Sequence, residues 1–276
     1  MNADPLAPIR RILLALDAGA DSAVSLDVMA ALAAELDAEL NALFIEDEEL
    51  LRLARLPFAG ELGLMSASRR PLSDVELERT LRAQAARRQR QLEATATRSQ
   101  LRWSFQVRRG ALLTCVAEAA AEADIVTVSL SADPAQRWHE ASRVQRMLAR
   151  AARPFLVLPS GAVPRPPFAV VYDGGDAARR TLRLAAQLSR HRELPVRVLL
   201  MAEGVARRRE AEAVLNEQQA TGEFRTLMGL GVDDIARAAR VEATGMLLVP
   251  VTGVLQQPDQ IGKLLSAARC AVLLVP

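Results

Sequence analysis

The two halves of the chain carry the same order of apolar runs and polar turns. The apolar run Leu13–Leu16 ends in Asp17, and the run Ala169–Tyr172 ends in Asp173, each followed by a turn and a stretch with helical spacing. Further along, Gly110 and Gly231 each open a helical stretch that leads into another apolar run. Both halves close on a short apolar run that ends in proline. A duplicated structural unit therefore constrains the fold more than any single motif does.

Apolar runs that alternate with helical stretches predict parallel sheets built with right-handed crossovers. We therefore predict an α/β fold of two tandem domains, each a five-stranded parallel sheet with flanking helices. Residues 1–160 form the first domain, with a long insert at 46–97, and residues 168–276 form the second. The linker 161–167 is rich in proline. One large sheet is the alternative, but it leaves the internal match unexplained.

The composition excludes several classes of protein. Aromatic residues make up 3% of the chain and the net charge is +2, so we expect no nucleic-acid partner. No apolar run approaches the roughly 20 residues that span a bilayer, and the N-terminus lacks a signal peptide, so we expect a cytoplasmic protein without a membrane partner. Cys115 and Cys270 stand in apolar surroundings and are expected to be buried free thiols.

Each half, nearly from end to end, resembles a universal stress protein (UspA-like) domain. The resemblance is carried by the strand that ends in Asp17 or Asp173, by the helix that a glycine opens, and by the terminal runs Phe155–Leu158 and Val272–Val275. The acidic start of the insert is also similar to bacterial tandem members. The resemblance implies Rossmann-like domains of the adenine-nucleotide-alpha-hydrolase kind.

Nucleotide-binding members of this family carry the signature G-x-x-G-x(9)-G-[ST] after the fourth strand. Its glycines let backbone N–H groups approach the phosphates, and the Ser or Thr opens a helix whose N-terminus favours an anion. Here the pattern falls on Val128, Ser131, Ala141 and Ser142, so all three glycines are replaced. The segment between them includes Glu140, which adds negative charge where a phosphate would lie. The second half departs further from the signature. The motif is therefore degenerate, and we expect neither half to bind ATP in the family's standard way.

Asp17 and Asp173 follow the first strand of each half, beside the switch point where such sheets bind ligands. The resemblance places the matching acid in the nucleotide pocket; the alternative is that each only caps the following turn. The candidate cofactor-binding residues are therefore Asp17, Val128, Ser131, Ala141 and Ser142, and in the second half Asp173.

No catalytic or metal-binding motif is present, and the resemblance implies a role in a stress response, so we expect a non-enzymatic stress-response module without a cofactor. An adenine-nucleotide switch (ATP, ADP or AMP) with an altered loop at Asp17 and Ser142 is the alternative. A scaffold that docks a partner through the loop 59–71 or through the arginine-rich helix that follows it is a third reading.

Family domains commonly pair through their last strands. We expect Phe155–Leu158 to pair with Val272–Val275 within the chain, which covers two apolar edges. The resemblance also implies further assembly into a homodimer.

Overall fold

The computed structural model describes most of the chain, with short gaps. The described residues are 8–16, 23–54, 60–62, 69–71, 74–190, 194–201, 205–229, 231–257 and 259–276.

The first half alternates strands and helices, as its apolar runs predict. Its elements are β1 (Arg11–Leu16), α1 (Ala23–Glu35), β2 (Glu39–Asp47), α2 (Glu48–Ala54), β3 (Gly60–Leu62), β4 (Arg69–Pro71), α3 (Asp74–Ser99), β5 (Trp103–Gly110), α4 (Leu112–Ala120), β6 (Ile125–Ser129), α5 (Pro134–Ala151) and β7 (Phe155–Leu158).

The second half repeats this order without the insert. Its elements are β8 (Phe168–Tyr172), α6 (Asp176–Arg190), β9 (Val196–Leu200), α7 (Val205–Glu217), β10 (Gly222–Thr226), α8 (Val232–Val241), β11 (Met246–Pro250), a 3₁₀ turn (Gly253–Gln256), α9 (Gln260–Ala267) and β12 (Ala271–Val275).

Each half contributes five parallel strands to the main sheet. The strand order is β10-β9-β8-β11-β12 in the second half and β7-β6-β1-β2-β5 in the first. When the main-sheet strands are counted along each half, both halves follow the same order, third-second-first-fourth-fifth. The predicted α/β fold with five parallel strands in each half is confirmed. The domain boundaries at 160 and 168 stay a prediction, although β7 ends and β8 begins on either side of the expected linker.

The halves meet where β7 pairs antiparallel with β12, and we call these two strands the junction. Leu156 lies opposite Leu273, and Phe155 lies opposite Leu274. This is the pairing that the two terminal apolar runs predict. It also joins the halves into one continuous sheet of ten strands, so setting a single large sheet aside was wrong. The sheet is continuous because the apolar edges of both halves cover each other.

Helices cover both faces of the sheet. Side chains of α1, α3, α6 and α7 bury one face, and side chains of α4, α5, α8 and α9 bury the other. Along the junction the two faces alternate strictly, since Leu156 and Leu273 point into the first layer while Phe155 and Leu274 point into the second. Helices α5 and α9 pack against each other across the junction.

The long helix α3 of the insert packs on α1 through one buried face. The Thr95 hydroxyl donates to Asp27 Oδ1 at 2.7 Å and fixes the two helices to each other. On the opposite face the side chains of Arg79, Arg87 and Arg90 are exposed. In the loop 59–71 that precedes α3, β3 pairs antiparallel with β4, and the remaining residues of that loop lie outside the described ranges.

Both cysteines are buried free thiols, as their apolar surroundings predict. Burial raises the pKa of Cys115 and of Cys270, so little thiolate forms near neutral pH. Because the folded pKa lies above the unfolded one, the thiols favour the folded state at low pH. That contribution is lost as the pH rises above the ordinary thiol pKa of about 8.5.

We therefore expect an aromatic disulfide reagent at pH 8 to label neither thiol of the native protein within minutes. In guanidinium chloride both should react at once, and the absorbance of the released thiolate measures this. Fast labelling of the native protein would contradict the buried placement.

Within the described ranges, no helix combines the length and apolar character that crossing a bilayer requires. Among the same residues no group of three His, Cys, Asp or Glu side chains is arranged to hold a metal ion.

Candidate functional site

Each half has a switch point beside its first strand, where the order of the strands in the sheet reverses. In the first half it lies at the carboxyl ends of β1 and β6, and in the second at the carboxyl ends of β8 and β11. Ligands of open α/β sheets bind in the crevice at such points. Of the candidate residues from the sequence, Val128 and Ser131 lie at the first switch point and Asp173 lies at the second. Ala141 and Ser142 lie within α5, and Asp17 lies outside the described residues.

In the first half, side chains of α5 form hydrogen bonds to the backbone that follows β6. The Ser131 N–H donates to Glu140 Oε2 at 2.6 Å, and the Ser131 carbonyl accepts from Arg137 Nε at 3.1 Å. The Ser131 hydroxyl accepts from the Asp133 N–H at 3.1 Å. A carboxylate and a guanidinium therefore bind the backbone that the family's signature leaves open to a phosphate.

Ser142 does not open a helix. The sequence analysis aligned it with the Ser or Thr at a helix N-terminus, but α5 begins earlier, at Pro134. The Ser142 hydroxyl lies inside the helix and donates to the Trp138 carbonyl at 3.2 Å. Proline suits the first position of a helix because its missing N–H would have no intrahelical acceptor there. Asp133-Pro134 is therefore a start signal that the sequence analysis overlooked.

The early start of α5 leaves little space at this switch point. Val128 is buried at the end of β6, and Ala141 is fully buried in α5. The cavity beside them has a volume of about 40 Å³ and is lined in part by Glu140, Arg143 and Met147. This volume is far below the range of about 300–1,000 Å³ that is typical of ligand pockets.

The second half has a larger cavity at its switch point, and we call it the second cavity. Its volume is about 290 Å³, near the lower end of the range of about 300–1,000 Å³ typical of ligand pockets. Asp173, Arg207 and Thr252 supply its polar side chains, with Gly253 beside them. The apolar lining comes from Val171, Met201, Ile235, Val249, Pro250, Val254 and Leu255.

Asp173 is held by two donors at the mouth of this cavity. Its Oδ1 accepts from the Gly175 N–H at 2.9 Å, and its Oδ2 accepts from the Thr252 hydroxyl at 2.8 Å. Both proposed roles of Asp173 are therefore compatible with the geometry, because the carboxylate fixes the turn after β8 and also lines the cavity. The hydrogen bond to Thr252 links the ends of β8 and β11 across the switch point.

Arg207, in the first turns of α7, lies over the turn after β8. Gly174 has a φ of 88°, which favours glycine, and a Cβ there would approach Arg207 Nε to 3.3 Å. Arg207 is half-buried as a residue, and within the described part of the chain it forms no ion pair. Sequence reasoning overlooked Arg207 because it stands in a run of three arginines, Arg207–Arg209, that resembles an ordinary solvated helix face.

The loop after β11 is a 3₁₀ turn, and two of the backbone N–H groups in this region donate to carbonyls of the loop. The Leu255 N–H donates to the Thr252 carbonyl at 3.0 Å, and the Gln257 N–H donates to the Val254 carbonyl at 3.2 Å. Asp259 stands at the N-cap of α9, where its charge opposes an incoming anion. Thr252 is the second residue after β11. A polar residue just beyond the carboxyl end of a strand could have been predicted from sequence as a candidate.

Comparison with solved structures identifies the fold. A universal stress protein from Archaeoglobus fulgidus DSM 4304 superposes with a TM-score of 0.71 and 13% identity over 96% of this chain and 95% of its own. The cytoplasmic domain of a prokaryotic cation chloride cotransporter matches 96% of this chain and 95% of its own, with a TM-score of 0.54 and 11% identity. No known sequence family profile and no curated protein sequence matches the chain.

Proposed function

We propose that this chain, which has the universal stress protein fold, is a non-catalytic stress-response module whose ligand site lies in its second half. In this proposal the first half is a structural copy that holds no nucleotide. The observation that carries the proposal is the position of Glu140, whose carboxylate binds the Ser131 N–H in the place where a phosphate oxygen would be expected.

Within the described part of the first half, the chain itself takes up the Ser131 and Asp133 N–H groups, and the buried Ser129 hydroxyl beside the small cavity is left without a partner. Nucleotide phosphates bind to backbone N–H groups that point into open space at a helix N-terminus. Here the Ser131 amide is already satisfied by Glu140, Ser142 lies within α5, and the cavity is far smaller than a typical ligand pocket. A phosphate that displaced Glu140 would break its hydrogen bond to the Ser131 N–H, which adds to the free-energy cost of binding.

The second half combines space with convergent polar groups. A concave site with an apolar lining and a few fixed polar side chains is the usual form of a small-molecule pocket. Asp173, Thr252 and Arg207 meet this description at the switch point between β8 and β11. A bound ligand would contact β8, β11, α7 and α8, so it could change the surface to which a partner binds.

Titration calorimetry with ATP, ADP and AMP tests the closed first half. We expect no nucleotide to bind with a Kd below about 1 mM at a site that depends on Ser142, since the phosphate donors are occupied. Wild type and Ser142→Ala should therefore give the same heats. Micromolar nucleotide binding that Ser142→Ala weakens would overturn the proposal and favour an adenine-nucleotide switch with an altered loop.

Mass spectrometry of the intact protein, sprayed under native conditions after gentle purification, tests the second half. We expect a co-purified small molecule on the wild type that is reduced or absent on Asp173→Asn. If an adduct is present equally on both proteins, the second cavity is not the ligand site.

A further inference from the structure

The second cavity is electrostatically asymmetric. Arg207 from α7 is the one cationic side chain among its described lining residues, and Asp173 is the one anionic side chain. The two belong to different elements, and they are more than 4.0 Å apart, since no ion pair joins them in the described chain. Both charges are therefore available to different ends of one ligand.

The positive charge of Arg207 favours a ligand with an anionic group. Arg207 forms no ion pair with a described residue, so a bound anion can pair with its guanidinium. The planar guanidinium presents two parallel N–H groups and so matches a carboxylate in bidentate fashion. Glycine at position 174 leaves room for the guanidinium, since a Cβ there would approach Arg207 Nε to 3.3 Å.

Asp173 calls for a donor at the other end of the ligand. An ionised carboxylate offers about four acceptor positions, and the Gly175 N–H and the Thr252 hydroxyl take two of them. The remaining positions suit a hydroxyl or amino group of a ligand. Val249 and Leu255 are among the apolar residues that line the cavity, and such residues suit a hydrocarbon or aromatic body.

The charge of the site limits the ligand to a single small anionic group. A polyphosphate would meet one arginine, and it would also face the carboxylate of Asp173. The amides of the loop after β11 that could cradle it are in part committed, at Leu255 and Gln257. A volume of about 290 Å³ suits a compact molecule.

We infer that the second cavity binds a small organic monocarboxylate, with its carboxylate on Arg207, an apolar body in the middle, and a hydroxyl or amino donor on Asp173. This inference rests on the proposed function, because it names the ligand class of the second-half site. It differs from nucleotide binding in that no phosphate cradle is required.

The probe is 4-hydroxybenzoate, which has the carboxylate, the apolar ring and the donor in this order. Its neutral isostere, 4-hydroxybenzamide, keeps the shape and the donor but removes the charge. AMP is the third probe. Binding of each is measured by titration calorimetry on the full chain.

We expect 4-hydroxybenzoate to bind and the benzamide to bind about 10- to 100-fold more weakly, the range given by one charge-assisted hydrogen-bonded contact. Arg207→Ala should weaken the benzoate by the same factor. Arg209→Ala, an exposed neighbour in the same helix, is the matched control and should leave the affinity unchanged. Asp173→Asn should weaken 4-hydroxybenzoate but not benzoate, which lacks the donor.

Three results would overturn the inference: no binding of 4-hydroxybenzoate, equal binding of acid and amide, or tighter binding of AMP that depends on Arg207. Native mass spectrometry separates these from failure of the proposed function. An adduct that depends on Asp173, together with a negative benzoate titration, refutes the ligand class and leaves the second-half site standing. If no adduct and no probe depends on Asp173, both proposals fail.

Discussion

Replacing Phe155 by alanine is expected to lower the free energy of unfolding by about 3–5 kcal/mol. Phe155 is fully buried in the junction, opposite Leu274, in the layer that α5 and α9 cover. Its loss leaves a void that the sheet cannot close, because both neighbouring strands are fixed by their hydrogen bonds. Urea unfolding followed by far-UV circular dichroism measures the change.

Phe224→Ala is the matched control for this prediction. Phe224 lies on the edge strand β10, is only partly buried, and has the Arg208 guanidinium 4.9 Å above its ring. The same truncation there should cost about 1 kcal/mol, because little apolar area is lost and the edge can relax. Equal losses at the two sites would mean that the junction is not part of the cooperative core.

The substitution Gly245→Ala is expected to destabilise the fold by about 3 kcal/mol, through a clash with the backbone. A Cβ on Gly245 would lie 2.1 Å from the Arg165 carbonyl oxygen and 2.8 Å from its carbon. The neighbouring linker backbone is held in place, since the Gly245 N–H donates to the Pro167 carbonyl at 3.0 Å. Relief therefore requires that the linker shift away from the start of β11.

Gly262→Ala provides the contrast, because it adds the same atom where there is room. Gly262 lies inside α9, and a Cβ there would touch the Ala141 side chain of α5 at an ordinary 3.9 Å. Alanine in a helix interior is favoured over glycine by about 0.5–1 kcal/mol, so this variant should be as stable as the wild type or more so. Thermal unfolding of the two variants side by side decides the matter, and a stable Gly245→Ala protein would contradict the close approach of linker and strand.

The elements were predictable from sequence because apolar periodicity reports burial directly. The runs around Leu14 and Val170 are buried on both faces of a parallel sheet, which leaves a continuous apolar signature. The junction was predictable for the same reason, since two matching apolar runs would otherwise expose their edges. The continuous sheet was not, because sequence shows that an edge must be covered but does not show whether its cover extends the ladder.

The site was less predictable, because a site depends on how distant elements meet. The start of α5 was misplaced by the alignment to a glycine-rich signature, although Asp133-Pro134 marks it. The negative charge of Glu140 was predicted from sequence, but its hydrogen bond to the Ser131 N–H was not. Arg207 and Thr252 come from separate connections, and only the pairing of β8 with β11 and the placement of α7 bring them to the cavity that Asp173 lines.

The antiparallel junction sets the two switch points on opposite rims of the molecule. Because β7 and β12 run in opposite directions and all other pairs in the main sheet are parallel, β1 and β8 point away from each other. Helices α5 and α9 share one face, so the approximate twofold axis passes through the junction perpendicular to the sheet. The second cavity therefore lies toward one end of the molecule, and the first switch point, filled by α5, lies toward the other. Any coupling between the two places must pass through the central strands.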